Sequence, residues 1–518
     1  MKSLITPRRT SNARRTHRTV KPPMPLMLAE FFSSLTPVGW TTMVLFVLEW
    51  AVRIAVSLRV VMRRVSVHTT LAWLLLLLLV PVVGLVLYGL IGETGIGTSR
   101  ARRLEILTRT SEERAMALWR HHEVDWSALG TDFKPLATLA TRVSGMPPIR
   151  GNHVELYDNA TELLDQLIAD INASTLHCHL LFYIWAPQSK SIEVCDALIH
   201  AAKRGVACRV LVDSVGSRSF LKSDICRAMI EAGVMVVGAL PVNPIRVLFA
   251  RIDLRNHRKI AVIDGSIGYC GSQNLTDETF KLNTRPGVGP WIDVTARMTG
   301  PAVQALQTTF LADWQLDSPE ELPPLDTFLP EPSVTGNSVV HVVPSGPGPR
   351  PEAIHHALLS LLFGAKDEII MTTPYFVPDE ATQSALVNAS LRGVAVTLVL
   401  PDVLDSRLVA AASRAYYEEL LEAGVRILHH RDGLLHAKTA VVDRRLAMVT
   451  SANFDRRSFW LNYETSLLVY DEDFAGLLRF MQANYIKDST QIYLDEWRAR
   501  SWWTRFVEQS AQLFSALL

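Results

Sequence analysis

The residues best suited to chemistry stand in two copies of one pattern. "NHRKIAVIDG" runs from Asn256 to Gly265 and "LHAKTAVVDR" from Leu435 to Arg444. His257, Lys259 and Asp264 of the first copy match His436, Lys438 and Asp443 of the second, 179 positions on (436 − 257). Each stretch reads as a β-strand, in which residues i and i+2 share a face. The His and Lys of each copy therefore project together, while Arg258 and Ala437 face away. Asp264 and Asp443 fall on the opposite parity, at the turn that ends the strand. Ser272 and Asn274 lie eight and ten residues after Asp264, and Ser451 and Asn453 lie eight and ten after Asp443. Lys is a compact cation, Ser and Asn donate hydrogen bonds, and His serves as nucleophile or acid. Doubled, the set suits a tetrahedral phosphate, with cations and neutral donors for its oxygens and one imidazole on each side of phosphorus. In-line displacement needs that two-sided layout, because nucleophile and leaving group occupy opposite faces. One HxK on a strand would signify little; two with matched Ser and Asn signify a shared site.

The elements that must position these residues also repeat. From about Val154, helical and strand patterns alternate, and after a stretch with five prolines, 318–337, the alternation restarts. "ALIHAAKRGVACRVLVD" at 197–213 matches "ALVNASLRGVAVTLVLP" at 385–401. The expected fold class is α/β: two similar α/β/α sandwich lobes with mixed sheets, at 151–317 and 338–485, joined by a Pro-rich linker at 318–337.

The N-terminal part has a different character. Leu71–Ile91 is 21 residues without a charge, enough to span ~30 Å of hydrocarbon. An earlier apolar run, about Val38–Leu58, carries Glu49 and Arg53 one helical turn apart, placed to pair. The expectation is a basic segment at 1–37, a transmembrane helical hairpin at 38–92 (about 38–58 and 71–91) and a juxtamembrane helical linker at 93–150. The arginine distribution places both termini, and with them the lobes, on the cytoplasmic side. An amphipathic tail, 486–518, sets Trp497, Trp502, Trp503, Phe506 and Phe514 among arginines; such a tail suits a lipid interface or packs on the lobes.

Lys plus Arg total 52 against 51 Asp plus Glu, a net charge of +1, which argues against a general electrostatic grip on nucleic acid. The five cysteines form no CxxC, so they read as reduced, buried thiols with no zinc site. No P-loop motif is present, and no nucleotide cofactor or metal is expected.

"HRKIAVID" and "HAKTAVVD" resemble the HxKxxxxD motifs of the phospholipase D superfamily. "TPYFVPDE" at 373–380, "DSRLV" at 405–409, "SRAYY" at 413–417 and "NFDRRSFWLNYE" at 453–464 are similar to signatures of bacterial cardiolipin synthases, as is the N-terminal hairpin. The resemblance covers roughly residues 40 to 518. It implies a pseudo-twofold bilobal fold with one active site at the lobe interface, a phosphatidyl-histidine intermediate and no cofactor. It also implies two phosphatidylglycerol molecules as substrates and a place in the bacterial cytoplasmic (inner) membrane. By the resemblance, His257 is the nucleophile and His436 the general acid and base, with exchange of the two roles left open. Lys259, Lys438, Asn274 and Asn453 would hold phosphate oxygens, and Asp293 and Glu464 would orient the histidines. Asp264 and Asp443 complete the motifs in a structural or secondary role. The chain departs from the family at Thr450, where Gly is usual and crowding of the turn is expected, and at Leu181, where many members carry Glu. The same residues would also serve a membrane phospholipase D releasing phosphatidic acid. A scaffold that only binds lipid would be expected to have lost a His or Lys, and none is missing.

Overall fold

The structure, a computed structural model, describes residues 36–63, 67–92, 98–241, 251, 253–277, 280, 288–348 and 351–513. Of the basic segment expected at 1–37, residues 1–35 lie outside them, as does Phe514. The chain divides into two compact units, residues 1–88 and 89–518.

In the first unit, helix Pro37–Met62 starts at Thr36, whose hydroxyl accepts from the Gly39 N–H at 3.2 Å. Glu49 and Arg53 pair within it, and the Arg53 guanidinium lies 4.4 Å from the Trp50 ring centre. The second apolar run departs from expectation. Helix Val67–Leu79 breaks at Val80, resumes as Pro81–Leu87 and ends in a π-helical turn, Tyr88–Gly92. Proline has no N–H to continue the ladder and clashes with the carbonyl four residues back. The chain then folds over so tightly that a Cβ on Gly84 would stand 2.8 Å from the Leu76 carbonyl oxygen. The uninterrupted span expected at 71–91 is therefore two short helices. Among the described residues no helix is long and apolar enough to cross a membrane.

The second unit is built on strands related in pairs. The first lobe supplies β1 (Ile149–Tyr157), β2 (His177–Phe182), β3 (Ala207–Asp213), β4 (Met235–Ala239), β5 (Ile260–Ile263), β6 (Ile267–Gly271), β7 (Trp291–Ile292) and β8 (Thr295–Thr299). The second supplies β9 (Ser338–Ser345), β10 (Glu368–Thr372), β11 (Phe376–Val377), β12 (Ala395–Pro401), β13 (Arg426–His430), β14 (Leu434–Leu435), β15 (Thr439–Val442), β16 (Leu446–Thr450), β17 (Phe454–Asp455), β18 (Glu464–Tyr470) and β19 (Ser489–Ile492). Instead of two separate sheets, 15 strands form one, in the order β19-β13-β12-β10-β15-β16-β18-β9-β1-β8-β6-β5-β2-β3-β4. Outward from the β9–β1 seam the two halves run through equivalent strands in the same order, which gives the pseudo-twofold arrangement. At the seam β1 bulges between Ile149 and Asn152. The buried Asn152 amide bridges the gap, donating to the Ile149 and Ser338 carbonyls at 2.8 and 3.2 Å.

Central strands such as β2 and β18 are buried at every residue, as strands covered on both faces must be. One face of each half has its own core, whereas helices Val303–Asp317 and Glu472–Lys487 share a third core drawn from both lobes. That shared core is why the lobes form a single unit. The expected linkers are also docked. Helix Thr98–Trp119 is tied to the first lobe by Arg100 and Asp317 at 2.7 Å, with Leu104 buried. The Pro-rich segment buries Phe328 and pairs Glu320 with Arg209 at 2.6 Å. In the C-terminal tail, β19 extends the sheet beside β13 and Trp497 is buried, so the tail begins as part of the second lobe.

Candidate active site

Each histidine is placed by the start of its strand. His257 precedes β5, and its N–H donates to the Tyr463 carbonyl at 2.9 Å; His436 precedes β15, and its N–H donates to the Ile292 carbonyl at 2.8 Å. The acceptors immediately precede Glu464 and Asp293, and they come from the opposite lobe each time. The side chains cross over in the same way. Nδ1 of His257 is 2.9 Å from a Glu464 oxygen and 3.1 Å from the Ser451 carbonyl. Nδ1 of His436 is 2.6 Å from Asp293 Oδ1.

These partners fix the tautomers. A carbonyl or a carboxylate can only accept, so each Nδ1 carries the hydrogen and each Nε2 keeps its lone pair. Burial pushes the carboxyls of Glu464 and Asp293 up, but their histidine and lysine neighbours outweigh it and hold both below the usual range. Burial lowers the His257 imidazole despite Glu464, and lowers His436 to about 4 despite Asp293. Without a ligand both rings are neutral near pH 7.

The lysines repeat one another. Nζ of Lys259 donates to the His257 carbonyl and Nζ of Lys438 to the His436 carbonyl, both at 2.6 Å. Both are buried, which lowers Lys259 to about 8 and Lys438 to about 7. Each ammonium has three donors, so two hydrogens on each remain for ligand oxygens. The Lys438 charge reaches His257 and the Lys259 charge reaches His436, so the four groups form one electrostatic cluster across the lobe interface.

The remaining expected site residues divide. Ser272 donates to Asp293 Oδ1 at 2.6 Å and Ser451 donates to Glu464, which sets both hydroxyls against the carboxylates that meet the histidines. Asn274 and Asn453 are buried at the strand ends; Oδ1 of Asn274 accepts from the Ile184 N–H at 3.1 Å. Asp264 and Asp443 do not join the histidines. Asp264 accepts the N–H groups of Thr175, Leu176 and His177, each at 2.8 Å. Asp443 accepts those of Lys366, Asp367 and Glu368 at 2.8–3.2 Å. Both have φ of 52°, the left-handed turn that Asp tolerates. They tie the end of β5 to the start of β2, and of β15 to the start of β10. Thr450 does not crowd its turn, because its hydroxyl accepts from the Ala452 N–H at 3.0 Å and from Ser466 at 2.6 Å.

Sequence reasoning missed the aromatic lining and a buried ion pair. The Tyr183 ring sits 4.7 Å from the His257 ring and Trp291 sits 4.3 Å from His436. Trp291 lies two residues before Asp293, a proximity that could have signalled its role. Arg258, which faces away from the site, meets Asp313 at 2.5 Å and donates to the Glu464 carbonyl at 3.0 Å. Ala437 occupies the equivalent position in the second copy, so the repeat itself gave no clue to this pair.

With that geometry in place, comparisons with known proteins converge. The family described as "Cardiolipin synthase, PLD-like domain" matches residues 167–314 and 358–481, and "Phospholipase_D-nuclease N-terminal" matches residues 51–93. The chain is 38% identical to cardiolipin synthase A of Serratia proteamaculans over 90% of its own length and 97% of that protein's. It is also 38% identical to cardiolipin synthase A of Proteus mirabilis, over 93% of its own length and 99% of that protein's. Among solved structures it resembles phosphatidylserine synthase of Haemophilus influenzae, with a TM-score of 0.54 and 14% identity, covering 74% of this chain and 98% of that one; at that identity the likeness concerns the fold. The chain belongs to the bacterial cardiolipin synthase family of phospholipase D-like phosphatidyltransferases.

Proposed function

We propose that the enzyme joins two phosphatidylglycerol molecules into cardiolipin and glycerol, with His257 as nucleophile. Nε2 of His257 attacks the phosphorus of the first lipid. The bond to its headgroup glycerol oxygen breaks, and that oxygen takes a proton from Nε2 of His436. The terminal hydroxyl of a second phosphatidylglycerol then gives its proton back to His436 and attacks phosphorus. The P–N bond breaks, which frees cardiolipin and returns His257. One phosphodiester replaces another, so the energy of a nucleotide is not needed. Lys259, Lys438, Asn274 and Asn453 hold the phosphate oxygens.

The observation that carries the reading is the pair of crossed imidazole–carboxylate contacts, which leave two Nε2 atoms free at one buried cationic cluster. The proton that His436 needs comes with substrate binding, because the phosphodiester anion favours imidazolium. The division of roles is supported by the partners: His257 Nδ1 is shared between a carbonyl and a carboxylate, while His436 Nδ1 has the shorter bond to a carboxylate alone. The apolar helices of the first unit would anchor the enzyme in the inner membrane with both termini and the catalytic lobes in the cytoplasm. The test is to supply purified enzyme with labelled phosphatidylglycerol in mixed micelles. Cardiolipin and glycerol in equal amounts are expected; phosphatidic acid as the main product would mean that water is the acceptor and would overturn the transfer reading.

A further inference from the structure

Beside the second lobe, helix Arg407–Arg414 packs on the C-terminal helix Trp502–Gln512 and encloses a cavity of about 430 Å³. Arg407 and Arg414 both open into it, seven residues apart on one helix, which is two turns or roughly 10 Å. Among the described residues neither forms an ion pair. The carboxylates at the wall are engaged: Glu508 with Arg500 at 2.8 Å, and Asp402 with His429 at 3.3 Å. With Glu508 taken up by Arg500, Arg407 and Arg414 face one carboxylate, Asp402, that pairs with no guanidinium among the described residues.

The rest of the wall is apolar and leads inward. Val403, Leu404 and Ala410 line the cavity and also belong to the cluster containing Leu434 and Trp291; Trp291 rests on the His436 ring. The C-terminal helix leaves Trp502 72%, Trp503 58% and Phe506 54% exposed. Trp502, Phe506 and Leu513 lie along one face at helical spacing, and Trp503 and Val507 turn toward the cavity. Large aromatics left in the open beside uncommitted arginines match the boundary between acyl chains and anionic headgroups.

We propose that this face docks onto the bilayer and that the Arg407–Arg414 cavity takes the headgroup of an anionic phospholipid, next to the apolar cluster that leads to His436. The proposal rests on the substrate being a phospholipid. Its test reads lipid contact and not turnover, so its failure would leave phosphatidyl transfer standing.

Gln509 is exposed on the same face as Phe506 and Leu513, and the five native cysteines are buried. The full-length Gln509→Cys variant, carrying an environment-sensitive fluorophore, is reconstituted into vesicles of phosphatidylcholine alone or mixed with phosphatidic acid, with brominated acyl chains as quencher. Quenching that deepens with phosphatidic acid is expected. Arg407→Gln with Arg414→Gln should weaken that dependence by about tenfold or more, and Trp502→Ser with Phe506→Ser should reduce quenching in both vesicles. Thermal melting of each variant separates these losses from misfolding. A fluorophore that stays in water in both vesicles overturns the docking. Quenching that ignores phosphatidic acid and the arginine changes overturns the headgroup site.

Discussion

The His257 ring and the Glu464 carboxylate belong to different lobes and meet at 2.9 Å, while His436 and Asp293 repeat the contact in the opposite direction at 2.6 Å. Neither lobe can orient its own histidine. Glu464→Gln and Asp293→Asn remove the charge that fixes each tautomer and stabilises imidazolium. Each should lower kcat by about 10²–10⁴-fold and leave KM within about threefold. Steady-state kinetics in mixed micelles measure both, and a change confined to KM would place these carboxylates on the substrate instead.

The two histidines should separate in a trapping experiment. With a phosphodiester whose leaving group needs no proton, His436→Ala should form the phospho-histidine adduct and stall, because nothing activates the second alcohol. His257→Ala should form none. Mass spectrometry of rapidly quenched enzyme reads the result; an adduct on the His257→Ala variant would exchange the roles.

Burial first of all lowers Lys259 to about 8 and Lys438 to about 7, and a bound phosphate anion should raise both. Binding of inorganic phosphate or vanadate near pH 8 should therefore take up protons, and affinity should fall as pH rises through 7 to 8. The empty enzyme should show the opposite trend in stability. The unfolded lysines, with pKa about 10.4, hold more protons than the folded ones, so these two groups make stability rise with pH between about 7 and 10. Titration calorimetry in buffers of different ionisation heat measures the uptake; proton release would remove the lysines from the phosphate.

Much of this site was legible because HxK occurs twice: His257 and Lys259 stand just before β5, His436 and Lys438 just before β15, and two copies of the pair called for a shared centre, although the strand expected to carry each pair begins only at the residue after the lysine. Parity also set Asp264 and Asp443 apart. What sequence could not supply was the crossing, since nothing local to His257 or His436 says that the carboxylate beside its ring comes from the other lobe. The single sheet was hidden for a similar reason. The β1–β9 seam depends on a bulge filled by the Asn152 amide, a contact between strands of two lobes. The expected 71–91 helix breaks before Pro81, because a proline offers no N–H to the ladder however long the apolar run around it.

Asp264 holds three backbone N–H groups. Burial pushes its carboxyl up, but those donors outweigh it and keep the carboxyl below the usual range. A depressed carboxylate stabilises above the unfolded pKa, near 4, and the benefit is lost as pH falls through the folded value. Asp264→Ala should cost about 2–5 kcal/mol at pH 7, less in acid, with little loss of kcat per folded molecule. Denaturant melts at several pH values with active-site titration test it; a kcat loss as large as that of His257→Ala would return Asp264 to the chemistry.

Arg258 and Asp313 form a buried pair at 2.5 Å, and the same guanidinium donates to the carbonyls of Glu464 and Ser345 in the other lobe at 3.0 and 2.9 Å. Removing one member of a buried pair strands the other. Arg258→Met should therefore cost about 3–5 kcal/mol, and adding Asp313→Leu should restore much of it, because a well-packed apolar pair can replace a buried ion pair. Activity should not follow stability. The double variant still lacks the donor that holds the Glu464 backbone, and with it the angle of the His257 ring, so kcat should stay about tenfold or more below wild type while the melt recovers. If kcat and stability recover together, Arg258 serves only the fold. If stability recovers and kcat does not, the arginine positions the nucleophile through the backbone of Glu464.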